Sequence, residues 1–217
     1  YIILVQPKDF FLNYLSELYQ RFEVSAESDS PLAYRAELSD LLRVITLRFS
    51  EIHLLPFWTL TSQFLTNNFG HFQNSSIKEL NRLPLADLRL ILKSCKLLDQ
   101  LLLLKFDEFN LQEWLYVTVT PDVTEGRQPA ESSALIDLFY TGKDLKSLKG
   151  ESLKLFNDDG NLKPLLQGVH NIDSLSRLRT FFQSLSLLQY ERMYNLNKVD
   201  YGACVNDVFN DILVKED

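Results

Sequence analysis

The sequence predicts an all-α protein, and three observations lead to that prediction. Leucine, a strong helix former, makes up about a fifth of the 217 residues. Only seven glycines and seven prolines are present, so few positions break a helix or need a positive φ angle. The β-branched residues that fill strands are sparse. We therefore expect antiparallel helical hairpins that bury a leucine-rich core.

Three helices are predicted in the first third of the chain. Residues 9–22 carry apolar side chains at helical spacing, which predicts an amphipathic helix. Ser30 suits the N-cap and Pro31 the first turn of a second helix, which should run to about Phe49. Pro56 suits the first turn of a third helix, which Asn67, Asn68 and Gly70 should end. The short connection between the second and third helices predicts that they pack antiparallel, as in a HEAT or armadillo hairpin.

The remainder alternates between helical and irregular segments. Pro84 should open a long helix from Leu85 to about Lys105, and Asp107 should begin another, with Phe109, Leu111, Trp114 and Leu115 on its buried face. Further helices are predicted at residues 76–82, 134–140, 174–196 and 203–214, with an exposed loop at 121–131 and a loose segment at 142–171. Residues 116–120 alternate as a strand would and stay undecided. No internal repeat of fixed period is present, so a HEAT- or armadillo-like stack and an irregular helical bundle both remain open.

Leucines at a seven-residue spacing mark the long helix and allow two interpretations. They are Leu83, Leu90, Leu97, Leu104 and Leu111. A two-stranded coiled coil needs a second apolar position in each heptad, but Asp87 and Ser94 occupy two of the three partner positions. Other leucines lie off the line, and a helix that is apolar around most of its circumference is normally buried. We favour a core helix and keep self-association through Leu90, Leu97 and Leu104 as the second hypothesis.

Composition limits the classes of function. A chain of this length fits one all-helical domain over residues 1–217. The net charge of −7 disfavours nucleic acid as a partner. Two distant cysteines point to a reducing compartment, and no apolar segment reaches the length of a membrane span. Because the chain begins with Tyr1 and not methionine, we expect a piece of a longer protein or a processed product.

No catalytic or metal-binding arrangement is evident, so we predict no enzyme activity, no metal site and no cofactor. Phosphate-binding loops, dinucleotide fingerprints and nucleophile elbows are absent. The histidines His53, His71 and His170 are scattered without a second ligand at metal spacing. Asp158-Asp159-Gly160 lacks the distant glutamate of a calcium loop and is better interpreted as a turn. Lysines between residues 143 and 163 alternate with acidic residues, which favours a solvated loop over a membrane-binding patch.

Three segments together resemble the C-terminal region of the Dopey family of Golgi and endosomal trafficking proteins. The first is Leu41-Leu42-Arg43-Val44-Ile45 with His53-Leu54 and Phe57-Trp58-Thr59-Leu60. The second is Cys95-Lys96-Leu97-Leu98-Asp99 leading to Phe109-Asn110-Leu111-Gln112-Glu113-Trp114. The third is Leu178-Arg179-Thr180-Phe181-Phe182 with Tyr190-Glu191. The resemblance spans most of the chain.

The resemblance implies a C-terminal fragment of a cytoplasmic scaffold that is peripheral at Golgi and endosome membranes. It further implies self-association as a homodimer, and two partners of the full-length protein: an Arf-exchange-factor-related scaffold and a P4-type phospholipid flippase. Our first hypothesis is therefore a non-catalytic self-association domain in endosome–Golgi transport. The alternative is a monomeric helical-repeat module that binds a partner helix or peptide in a groove.

Overall fold

In a computed structural model, helices supply the regular structure of the described residues. These are residues 1–26, 30–70, 83–111, 116, 155–178, 180–182, 184–185, 188 and 198–213. The helices are α1 (Ile2–Val5), α2 (Leu15–Ser25), α3 (Leu32–Arg48), α4 (Phe57–Gly70), α5 (Leu85–Leu104), α6 (Asp107–Asn110) and α7 (Tyr201–Leu213). Short 3₁₀ turns occur at Leu12–Tyr14, Glu51–His53 and Leu175–Leu178. The described part contains isolated bridges but no strand, which confirms the all-α prediction.

The packing of α3 against α5 is the largest contact between helices. The two helices run in the same direction. Lys93 on α5 pairs with Asp40 on α3, and further along both helices Gln100 on α5 donates to the hydroxyl of Thr46 on α3 at 2.7 Å. Apolar side chains from the described helices and from residues 155–188 form one continuous core around them. The long predicted helix is therefore the centre of the fold.

Helix α4 runs antiparallel to both α3 and α5. Arg35 near the start of α3 donates to the Asn68 Oδ1 near the end of α4 at 2.6 Å, and Asn68 in turn donates to the Ser94 Oγ of α5. At the other end, the Trp58 ring lies 4.8 Å from the Phe106 ring that follows α5. The predicted antiparallel relation between α3 and α4 is thus confirmed, and α5 packs against both of them.

Several predicted helix boundaries agree with the structure. Helix α4 covers the predicted segment, and α5 ends at Leu104 with Lys105 in the left-handed conformation at φ 55°. Helix α7 begins two residues before the predicted Ala203, where the Asp200 carboxylate accepts a hydrogen bond from the Ala203 N–H at 2.8 Å. The predicted turn at Asp158-Asp159-Gly160 is confirmed, since Gly160 has a φ of +75°.

The prediction of one continuous helix over residues 9–22 is wrong at its beginning. Asp9 adopts a left-handed conformation at φ 63°, and its carboxylate accepts hydrogen bonds from the Ser50 backbone N–H at 2.7 Å and from the Ser50 hydroxyl. The Asp9 N–H also donates to the Arg48 carbonyl at 2.8 Å. These tertiary contacts hold the segment in turns until α2 begins at Leu15.

Two smaller predictions also need correction. Ser30 does not cap α3: its hydroxyl donates to the Ser25 carbonyl at 2.9 Å, and Pro31 is the residue that precedes the helix. Leu111 was expected on a buried face, yet 71% of it is exposed because α6 ends at Asn110. The neighbouring Phe109 is fully buried, as predicted.

Other predicted segments lie outside the described residues. They are the helices at 76–82 and 134–140, the loop at 121–131, most of the alternating segment 116–120, the lysine-rich part of 142–154, Trp114, Leu115, and parts of the helix at 174–196. Of the undecided segment, Tyr116 is described, and it is buried with its hydroxyl donating to the Ser62 carbonyl.

Leu97→Ala tests whether the leucine line builds the core. Leu97 is fully buried, so the substitution should lower the free energy of unfolding by about 2–5 kcal/mol through lost contacts and a cavity. Urea denaturation followed by circular dichroism would measure the loss. Leu85→Ala is the matched control on the same helix, since Leu85 is 70% exposed and should change stability by less than about 0.5 kcal/mol. A Leu97→Ala variant with full stability and an altered oligomeric state would favour the zipper instead.

Candidate functional site

The leucines predicted for self-association lie largely inside the fold. Leu90 and Leu97 have no exposed surface, and Leu104 is half-buried against the core. In this conformation the first two are part of the hydrophobic core. Self-association through these leucines stays a prediction that would require α5 to be uncovered.

A second feature of α5 is a set of charged side chains that face the interior. The buried charge cluster consists of Asp40 and Arg43 on α3, Lys93, Lys96 and Asp99 on α5, and Asp207 and Asp211 on α7. Their side chains are 5% exposed or less. Burying unpaired charges would cost several kcal/mol for each ion, so these groups must satisfy one another.

Arg43 lies at the centre of the cluster. Its Nη2 is 2.5 Å from Asp207 Oδ2, while its Nη1 is 2.6 Å from Asp211 Oδ2 and 3.1 Å from Asp40 Oδ1. Burial opposes the charge of Arg43, but the three carboxylates hold the pKa of its guanidinium above the ordinary value. Arg43 therefore stays ionised and binds α7 to α3.

The two lysines of α5 complete the pairing. Lys96 Nζ lies 2.7 Å from Asp211 Oδ2 and 3.2 Å from Asp207 Oδ1, and Lys93 Nζ lies 2.6 Å from Asp40 Oδ2. Burial raises the pKa of Asp211, but Arg43 and Lys96 outweigh that effect and lower it to about 2. Helices α3, α5 and α7 are thus joined by the same group of charges.

The irregular segment after residue 155 is attached to the same cluster. The Leu166 N–H donates to Asp99 Oδ2 at 2.9 Å, and the Gly168 N–H donates to Asp207 Oδ1 at 2.9 Å. His170 Nδ1 lies 2.9 Å from Asp211 Oδ1. The Leu166 and Gly168 N–H groups lie outside helices and sheets, so they have no partner within a helix or sheet. Buried carboxylates accept their hydrogen bonds instead.

The charges of the cluster do not balance. It holds three cations and four carboxylates, and Asp99 is the carboxylate without a cation in hydrogen-bonding distance among the described residues. Its Oδ1 has no hydrogen-bond partner there either. Burial raises the pKa of Asp99 to about 7, with Asp207 adding to the effect. At neutral pH, Asp99 therefore carries a proton for a large part of the time.

The cluster's role is structural in this conformation. Because Arg43, Lys96, Asp207 and Asp211 are only 1% exposed, no ligand can reach them. Across the residues that the structure describes, no group of three or more His, Cys, Asp or Glu could hold a metal ion. Cys95 and Cys204 are buried with free thiols, and burial raises the pKa of the Cys204 thiol to about 12.

An apolar groove at the N-terminal end is the accessible candidate site. This N-terminal groove is a cavity of about 500 Å³ lined by Tyr1, Ile2, Ile3, Phe11, Tyr14 and Leu18. Tyr1, Ile2 and Tyr14 are more than half exposed, at 57%, 67% and 59%. No charged side chain lines the groove, so it can recognise apolar and aromatic surface but not an ionic ligand.

Local and tertiary contacts between aromatic rings support the walls of the groove. The Phe11 ring contacts the Phe10 and Tyr14 rings at centroid distances of 5.0 and 6.1 Å. The Tyr1 ring lies 5.7 Å from the Phe209 ring on α7. Because the buried charge cluster holds α7, it also supports one wall of the groove. A preformed, rigid apolar groove suits the apolar face of a helix.

Sequence analysis missed both features, although α5 carried a signal for the first. Lys93, Lys96 and Gln100 recur at helical spacing inside an otherwise apolar helix, and a helix buried on most sides cannot leave such groups unpaired. The partners on α7 could not be found, since Asp207 and Asp211 are more than 100 positions away. The groove was not predicted because its lining brings residues 1–3 together with Phe11, Tyr14 and Leu18, and the helix predicted over residues 9–22 did not include the turn at Asp9.

Comparison with known proteins identifies relatives across nearly the whole chain. The family model described as DOP1 C-terminal matches residues 1–195. Protein DOP1 of Saccharomyces cerevisiae is 35% identical over 215 residues, which cover 98% of this chain and 12% of that protein. Protein dop1 of Emericella nidulans is 30% identical over 224 residues, with 97% and 12% covered. The chain thus spans about an eighth of the length of these relatives. No solved structure matches.

Removing the central arginine should strongly destabilise the fold. Arg43→Met leaves three buried carboxylates around an apolar side chain, and we expect the free energy of unfolding to fall by about 3–5 kcal/mol. Arg21→Met is the matched control, because Arg21 pairs with Glu17 on the exposed side of α2 and should cost less than about 1 kcal/mol. Chemical denaturation of both variants would measure the difference. Equal losses would show that the cluster does not bind the helices together.

Asp99→Asn should change how stability depends on pH. Between pH 4 and pH 7 the folded chain holds a proton on Asp99 that the unfolded chain has released, so the free energy of unfolding decreases as pH rises. Asparagine removes this decrease while keeping an acceptor for the Leu166 N–H. The variant should therefore be more stable than the wild type by about 1–4 kcal/mol at a pH of about 8.

Denaturation at a pH of about 5.5 and a pH of about 8 would test this expectation. Asp173→Asn is the control: Asp173 is exposed, and Arg177 lowers the pKa of its carboxyl, so its titration lies below this range. The prediction would be contradicted if the free energy of unfolding depended on pH in the same way in the wild type and in Asp99→Asn.

Proposed function

The chain belongs to the DOP1 C-terminal family, and on this premise we propose that it is a non-catalytic helical scaffold domain of a membrane-trafficking protein acting in endosome–Golgi transport. The family match over residues 1–195 is the observation that carries the proposal. The arrangement of the described residues supports it, because the buried charge cluster is enclosed in the fold while apolar side chains such as Ile52 and Tyr14 are exposed. Such an arrangement favours docking over chemistry.

We propose that residues 1–217 act as one helical domain within a longer protein of the DOP1 family. The continuous core, which includes residues from Leu4 to Val208, supports this proposal. In the described ranges, no helix combines the length and the apolar character that crossing a bilayer requires. A peripheral position at Golgi or endosome membranes is a further part of the proposal and rests on the family. Binding to an Arf-exchange-factor-related scaffold and to a P4-type flippase is assigned to the full-length protein.

Self-association, as a homodimer, is the proposed contribution of this domain to the scaffold. Since Leu90 and Leu97 are buried, the contact needs other apolar side chains. The Asp107 N–H donates to Glu51 Oε1 at 2.5 Å, which places the connection between α3 and α4 beside α6. Ile52 and Leu55 follow Glu51 closely in the sequence, Leu111 follows Asp107 by four residues, and the three are exposed by 71%, 50% and 71%. We name these three residues the turn patch and assign self-association to it.

A monomeric module that binds a partner helix is the second candidate function. The N-terminal groove favours it, because the groove is preformed, apolar and open to solvent. Helix-in-groove recognition uses this kind of surface. The two candidate functions use different parts of the molecule and can be separated by experiment.

Light scattering over a concentration series would test self-association. We expect a dimer at high micromolar protein, a monomer for Ile52→Asp, and an unchanged dimer for Tyr14→Asp, because a charge in the turn patch opposes burial of that patch. Val24→Asp is a further control, since Val24 is 69% exposed and belongs to neither surface. A strict monomer at every concentration would contradict the proposed self-association and leave the helix-binding module.

A further inference from the structure

We propose that the N-terminal groove is covered, in the full-length protein, by the polypeptide that directly precedes Tyr1, which lies there as a helix with an apolar face. This inference rests on the second candidate function, since it assigns the groove to a helix, and it names the occupant. It is independent of self-association through the turn patch.

The apolar character of the groove calls for a cover. Besides the lining residues, Val5, Phe10 and Leu12, which are close to lining residues in the sequence, are 50%, 62% and 37% exposed. Scattered exposed apolar side chains are ordinary, but apolar and aromatic side chains that line one open cavity mark an interaction surface. Because the lining lacks charge, its partner must offer apolar side chains.

The position of the groove identifies the occupant. The matched family region is the C-terminal one, and the matched relatives extend over about eight times the length of this chain. Most of such a protein therefore precedes the region that corresponds to this chain. Tyr1, Ile2 and Ile3 themselves line the groove, so a polypeptide that arrives at Tyr1 has to pass through or beside it.

Attachment gives this segment an advantage over any free partner. A tethered segment is present at an effective concentration in the millimolar range, so even weak apolar contacts keep it bound. Helix α1 supports a helical form of the segment. It begins directly after Tyr1 and has only four residues, fewer than an isolated helix needs for stability. A helix that precedes Tyr1 can continue into α1 without a break, with Leu4 as its buried anchor.

Hydrogen exchange would compare the full-length product of the gene with the 217-residue chain. Under the proposal, amides of residues 10–18 that are protected only by local structure exchange at least about tenfold more slowly in the full-length protein. Helix α4 is the internal control, because it is part of the shared core and its exchange should be the same in both proteins.

A surface variant makes the comparison specific. Tyr14→Asp in the full-length protein should abolish the added protection of residues 10–18 and speed limited proteolysis within the preceding segment. Val24 lies on α2 but outside the groove, so Val24→Asp should change neither the protection of residues 10–18 nor the proteolysis of the preceding segment. Since Tyr14 and Val24 are both largely exposed, both variants should fold.

Three outcomes would overturn the proposal. The first is equal exchange of residues 10–18 in the two proteins. The second is a gene product no longer than this chain. The third is a dimer of the 217-residue chain that Tyr14→Asp dissolves, which would make a second copy the occupant. Loss of dimerisation in Ile52→Asp alone would bear on self-association and would leave the groove's occupant unaffected.

Discussion

The requirement that buried charges be paired governs this structure. Arg43, Lys93 and Lys96 point into an interior from which water is largely excluded, and carboxylates on α3 and α7 compensate their charges. Helix α7 and the segment containing Leu166 and Gly168 must therefore dock where they do. Apolar packing alone tolerates sliding of one helix along another, whereas directional ion pairs do not. The cluster thus specifies one arrangement of these elements. Asp99 is the carboxylate of the cluster that has no cation in hydrogen-bonding distance among the described residues.

Nearly every side of the long leucine-rich helix α5 packs against the rest of the fold. Its apolar side chains pack against α3 and α4, and its polar positions take part in the buried charge cluster and in the contact between Ser94 and Asn68. A helix used in this way has little surface left for another molecule. Ser94, one of the two polar residues that break the coiled-coil pattern, thus links α5 to α4.

Surfaces for partners lie at the periphery of this core. The N-terminal groove and the turn patch both present apolar side chains close in sequence to turns that tertiary hydrogen bonds hold in place, with Ser50 donating to Asp9 and Asp107 donating to Glu51. A surface that is already formed before binding lowers the entropy lost on binding. The two proposals assign these surfaces to different partners, the groove to the preceding polypeptide and the turn patch to another copy of the chain.

The sequence by itself determined the helical class, the long helix from Leu85 to Leu104, the helix from Phe57 to Gly70, and the turn at Gly160. Local periodicity and backbone preference are enough for these features, because each depends on residues close together in the chain. Only the tertiary structure decided that Leu111 is exposed, that Asp9 stops a helix, and that Asp207 and Asp211 meet Arg43. These features depend on contacts between residues far apart in sequence, where electrostatic pairing and packing override local preference.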